Sequence, residues 1–176
     1  MKKAISLFLC LLLLMLMTGC GDEQPKLEKP VKYYYCKSNV TYGSVNGVLD
    51  FEERESVGKE NDLQYLLNQY MRGPESGDFL RTFPQFTRVI QYEIGESSLS
   101  LCLSNEFASL SGMELSLACA ALTTTVYGIT GLDTVTIRTD SALLDGRETI
   151  VCRYSDFLLQ DNATVIPTTT IEEPKQ

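Results

Sequence analysis

The side chains that could do chemistry in this chain are few in kind. Histidine is absent from all 176 residues, which removes the commonest general base and the commonest metal ligand together. Asp and Glu total 23 and Cys totals 6, so carboxylates and thiols are what remains. Close carboxylates such as Glu52 with Glu53, or Asp140 with Asp145, could divide acid and base roles, but in so acidic a chain they are ordinarily solvated surface. No HExxH zinc motif, GxSxG elbow, phosphate-binding loop ending in Gly-Lys or CxxC pair occurs. The inventory predicts no catalytic residue, no metal site and no cofactor.

Cys20 stands apart from the other thiols by what precedes it. Lys2 and Lys3 lead into an apolar run of 14 residues, Ala4 to Met17. As a helix this run reaches roughly 21 Å, short of the ~30 Å hydrocarbon core of a membrane. A basic start, an apolar middle and a small-residue end make the layout of an export signal rather than of a resident span. Met17-Thr18-Gly19-Cys20 then resembles a bacterial lipobox, an apolar residue and two small ones before cysteine. That resemblance implies a diacylglyceryl group on the Cys20 sulfur and cleavage that leaves Cys20 as the N-terminus, a palmitate-type anchor. Two acyl chains hold a protein stably where one does not. The expected place is the outer face of the cytoplasmic membrane, attached without spanning.

Residues 21–30, GDEQPKLEKP, are too polar to order themselves and are expected to act as a tether. Residues 31–160 are long enough for one domain, and residues 161–176 form a polar, disordered tail by composition. Without Lys2 and Lys3 the chain carries 13 basic against 23 acidic residues. That balance argues against nucleic acid and against lying flat on anionic lipid, so attachment must come from acyl chains. Cys36, Cys102, Cys119 and Cys152 remain in the domain. An exported chain with four cysteines admits disulfides, yet each sits in an apolar run where a free thiol serves as a small hydrophobe. Free, buried thiols are the favoured reading, and the spacing determines no pairing.

The elements that must position these groups follow from periodicity. VKYYYCK (31–37) is rich in β-formers, TYGSVNG supplies a turn, and VLDFEERESV (48–57) reads as an edge strand charged on one side. In NDLQYLLNQYMRGP, Leu63, Leu66, Leu67, Tyr70 and Met71 share one helical face. Asn61 and Gln64 suggest a capping box, and Arg72-Gly73-Pro74 a C-terminal stop. PESGDFLRTFPQ reads as a polar loop. FTRVIQYEI and SSLSLCLS form a hairpin about Gly95-Glu96, with Ile90, Tyr92 and Ile94 alternating against Val89 and Gln91. Strict alternation of Leu99, Leu101 and Leu103 turns Cys102 the other way, toward a second apolar layer. SGMELSLACAALTTTVY is a second helix, with a capping box at Ser111 and Glu114 and an end weakened by Thr123 to Thr125. Strands DTVTIRT and ETIVCRY follow, separated by the turn signal Asp145-Gly146. The order β-β-α-β-β-α-β-β predicts an α+β, two-layer sandwich of a mixed sheet with two helices.

In order and spacing, several of these pieces resemble the GerMN domain of sporulation and spore germination. They are Leu66-Leu67 before Gly73-Pro74, Phe83-Pro84 with Thr87, and the Leu99 to Leu103 strand running into Ser104-Asn105-Glu106-Phe107. The long helix and Gly131-Leu132-Asp133-Thr134-Val135-Thr136-Ile137 complete them. The Thr123 to Thr125 run and the displaced Gly146 depart from the family pattern. The resemblance implies a fold akin to ring-building motifs, and action through surfaces that meet envelope or sporulation proteins, as homo- or hetero-oligomers, rather than by catalysis. The expected function is that of a lipid-anchored interaction module. The alternative is a lipoprotein holding a cell-wall glycan or peptide on the stacking faces of Tyr33, Tyr34, Tyr35 and Tyr42.

Overall fold

A computed structural model describes residues 30–40, 47–56 and 58–157. The export signal with Cys20, the tether up to residue 29, Tyr42 and its turn, Val57 and the 161–176 tail lie outside the described residues. Among the described residues, seven strands, two α-helices and two 3-10 turns follow one another: β1 (Val31–Lys37), β2 (Leu49–Arg54), α1 (Leu63–Met71), β3 (Phe79–Leu80), β4 (Val89–Ile94), β5 (Ser98–Leu103), a turn Asn105–Ser109, α2 (Gly112–Thr130), β6 (Thr134–Thr139), β7 (Ile150–Arg153) and a turn Tyr154–Phe157. The predicted α+β sandwich with two helices is what the chain adopts, with its strands in two sheets where one mixed sheet was expected and with β3 added inside the stretch read as a loop.

The strands fall into two sheets. One is antiparallel, ordered β2-β1-β3, and the other is mixed, ordered β4-β5-β6-β7 with β5 and β6 parallel. Parallel neighbours need a crossover, and α2 supplies it. Tyr33 and Tyr35 of β1, Leu67 and Tyr70 of α1, Leu99, Leu101 and Leu103 of β5, Leu122 and Val126 of α2, and Val135 and Ile137 of β6 meet in one core.

Local chemistry explains the boundaries, and the differences from expectation are of three kinds: the helix caps, the end of α2 and a strand irregularity. Asp62, not Asn61, caps α1, its carboxylate accepting from the Tyr65 amide at 3.0 Å. Gln64 is thereby free of a capping role and donates to the Val89 carbonyl at 2.8 Å. Ser111 precedes α2 in extended backbone but makes no side-chain cap bond. The Thr123 to Thr125 run does not end the helix, which continues to Thr130 and stops at left-handed Gly131. Thr123 and Thr125 are fully buried, so tertiary packing overrides their weak helix preference.

The third difference is a bulge. In the β4–β5 pair, Val89 opposes Leu103 while Gln91 opposes Cys102, leaving Ile90 as the extra residue. Val89 and Tyr92 therefore join the leucine face, and Ile90 is pushed to the surface, the reverse of strict alternation. Cys102 does turn from the leucines as expected, and it is buried. Its neighbours across the sheet are Gln91 and Arg138, however, so no second apolar layer covers it. Asp145 and Gly146, both with positive φ, form the tight turn that pairs Leu144 with Arg147.

Candidate functional site

The tyrosines considered as stacking faces are mostly spent inside the protein. Tyr33 and Tyr35 are 2% and 0% exposed, and their rings pack on Tyr70 at 5.5 and 5.1 Å. Tyr70 in turn meets Phe83 edge-on, and Phe83 meets Phe107, a run of rings that joins β1 to the mixed sheet. Burial pushes the Tyr33 phenol up to about 12, the nearby Arg54 cation opposing it. Tyr34 faces the other way, against Phe51. Of the β1 tyrosines only Tyr34 keeps part of its surface outward, in the cleft beside Pro30.

Glu52, half of one carboxylate pair, is likewise committed. Arg54 grips it through Nε (2.6 Å) and Nη2, and both side chains are 10% exposed. The other Arg54 donors reach the carbonyls of Gln69 (3.1 Å) and Gly73, and the Tyr35 hydroxyl (3.2 Å). No basic residue lies in the last turn of α1, and Arg54, arriving from β2, is the cation that bonds the carbonyls beside the Arg72 cap. The Glu52 carboxylate meanwhile accepts from the amides of Glu75 and Ser76. The pair thus holds the turn after α1 on both sides. Glu53 pairs with Lys32 on the surface. Among the described residues no three metal-ligating side chains converge.

Side-chain hydroxyls take up the Tyr34 backbone where β1 lacks a strand neighbour. The Tyr34 amide donates to Thr125 Oγ1 at 2.9 Å, and the Tyr70 hydroxyl donates to the Tyr34 carbonyl at 2.6 Å. Cys36 repeats the device, its amide donating to Thr82 Oγ1 at 3.3 Å. Thr125→Val removes the acceptor while keeping shape, orphaning a buried amide at a cost of about 1–3 kcal/mol. Urea unfolding should show that loss, and an unchanged midpoint would refute the bridging role.

The surface features divide by pole. The β1 strand starts at Val31 beside Gly128 and Ile129, at the C-terminal end of α2, where a cleft of about 360 Å³ opens next to Pro30. It ends at Cys36 and Lys37 beside the N-terminal end of α2. There a groove of about 370 Å³ is walled by Leu80, Phe83, Pro84, Leu110 and Leu117, with Arg81 and Glu114 at the mouth. At 1.5 Å per residue, Glu114 and Gly128 stand roughly 21 Å apart along the helix. Leu80 is 53% exposed, and Met113, next to Glu114, 78%. The groove was hidden inside PESGDFLRTFPQ and LSGMEL. Phe79, Leu80 and Phe83 were the available signal, an apolar set within a stretch that turn residues make look uniformly polar.

No protein-family profile and no curated protein matches the chain. Solved structures do. The tandem GerMN domains of the sporulation protein GerM from Bacillus subtilis align over 75% of this chain with a TM-score of 0.51 at 15% identity. This chain spans 46% of that structure's length. The first GerMN domain of the same protein aligns over 64% of this chain and 84% of its own length, with a TM-score of 0.45 at 19% identity. A Clostridium perfringens protein described as a candidate lipoprotein aligns over 73% of this chain and 89% of its own, with a TM-score of 0.42 at 18% identity. Among the described residues no helix is long and apolar enough to cross a membrane. With its two helices, the mixed sheet and the α2 crossover, the described part of the chain has a GerMN-like fold.

Proposed function

We propose that this chain is an extracytoplasmic interaction module held by a lipid on Cys20, binding rather than turning over its target, in sporulation, germination or envelope assembly. The observation that carries the reading is the separation of poles. Chain arriving from the membrane enters at Pro30, and the apolar groove lies at the far end of α2. A domain tethered at one end presents that groove away from the lipid surface, where another envelope protein can reach it. Leu80 and Leu110 offer apolar contact there, and Arg81 and Glu114 a charged rim, the usual arrangement of a protein interface. The net acidity keeps the body off anionic head groups. The likeness to the domains of a sporulation protein agrees with this setting.

Photo-crosslinking in intact cells tests it. A crosslinking residue at Leu80 or Met113 should capture a discrete envelope protein, and one at Lys32, by the tether, should not. Equal capture from both poles, or none from the groove with the chain correctly anchored, would reject the proposal.

A further inference from the structure

A strained turn beside the apolar groove carries an aromatic ring that the chain itself does not use. The Pro84 carbonyl accepts from the Thr87 amide at 3.2 Å, and Phe86, third in this four-residue turn, has a φ of 70°. Glycine is the usual residue there, because a Cβ crowds the backbone in the left-handed region. Among the described residues only Asp145 shares this conformation without being glycine, and aspartate tolerates it far better than an aromatic does. Phe83 and Thr87 are buried on either side, so the turn is pinned at both ends and Phe86 projects from it, 73% exposed. Its ring meets no other ring among the described residues. Strain of this kind persists where a contact is served by it, and the chain supplies Phe86 with none.

The groove of about 370 Å³ begins two residues away, at Pro84. Two residues span at most ~7 Å, so ring and groove are neighbours on one surface. Phe86 is not among the residues that wall the groove, which stays open to a ring from elsewhere. A dry cavity of ~150 Å³ is enough to hold benzene, so this groove has room for a phenyl ring. At its mouth, Arg81 and Glu114 have no ion-pair partner among the described residues.

We propose that the occupant of this groove is a second copy of the chain, docked about a two-fold axis so that each Phe86 enters the other's groove. This rests on the reading of the groove as a protein-binding surface and names its partner. A ring and a socket side by side on one surface are self-complementary, and a two-fold axis satisfies both at once and closes the assembly at two. The same axis sets Arg81 of each copy toward Glu114 of the other, so two acidic chains meet where their local charges are balanced. Anchoring on one membrane concentrates the copies, so a contact of modest size suffices.

The test reconstitutes the purified full chain, in two differently tagged forms, into phosphatidylcholine vesicles with a photo-crosslinking residue at position 86. An adduct carrying both tags is expected, linked to Leu80 or to residues 110–117 of the other copy. With the crosslinker moved to position 113, Phe86→Gly should lose at least about tenfold of that adduct. It should melt no lower than the wild type, since glycine relieves the positive φ. Leu117→Trp fills the groove without touching the turn and should lose the adduct too, which keeps the test valid if the turn variant folds poorly. Arg81→Glu should weaken the adduct, and R81E/E114R should restore it. A link confined to one chain, including one to residues 158–176, an adduct that survives both Phe86→Gly and Leu117→Trp, or no adduct would overturn the proposal. Capture in cells of a different protein alone at Leu80 or Met113 would reject the second copy and leave the groove's role in binding standing.

Discussion

Arg54→Met should lower the unfolding free energy by about 3–5 kcal/mol, the range for removing one partner of a buried, hydrogen-bonded ion pair. One substitution strips the cation from the Glu52 carboxylate, from the Gln69 and Gly73 carbonyls and from the Tyr35 hydroxyl. Met keeps the aliphatic stem but not the guanidinium that stands over the Tyr33 and Tyr35 rings, so the loss reports charge, hydrogen bonds and that ring contact more than volume. Glu75, 78% exposed and 3.6 Å from Nε, is too well solvated to add much. For a domain of this size the melting temperature should fall by about 10 °C or more. The double variant E52Q/R54M should be less destabilised than the sum of its parts, because Gln leaves no unpaired charge. Calorimetry showing a shift below about 1 kcal/mol for Arg54→Met would mean the pair is solvent-screened, contrary to its burial.

Cys20→Ala has the largest expected effect on the anchor and none on the folded core. Acylation needs the sulfur, so labelled palmitate should fail to enter the variant at all. The mature form should drop at least about tenfold, the precursor persisting with its leader uncut, since two acyl chains rather than the 14-residue run provide stable attachment. Intact mass of the wild-type protein should show a chain that starts at Cys20 and carries lipid. A mature wild-type product with a bare cysteine, or palmitate incorporation that survives the substitution, would remove the membrane from the account. In either case residues 30–157 should give the same circular dichroism, which separates the anchor from the fold.

Both predictions concern residues visible in the sequence, but they were visible to different degrees. Cys20 could be singled out because its signal is local, a thiol after an apolar run and two small residues. Glu52 and Arg54 looked like part of a charged edge, and β2 is indeed an edge strand. Their burial depends on the end of α1 folding back over them, about twenty residues away in the chain, and no window centred on β2 contains that.

The same distinction runs through the domain. Helical and strand periodicity, the Gly73 and Asp145-Gly146 turn signals and the order of every element but β3 could be read from neighbours in sequence, because each states which backbone conformation or which face is preferred. Thr123 to Thr125 and Ile90 went the other way: burial against β1 carried the helix past three β-branched residues, and one inserted residue exchanged the faces of a strand. Tertiary structure alone decided that Tyr33 and Tyr35 turn inward and that an apolar groove opens at the end of β1 away from Val31. Composition and local pattern fixed what each segment could become. Which faces finally met was set by packing, since contacts between residues far apart in sequence leave no spacing to read.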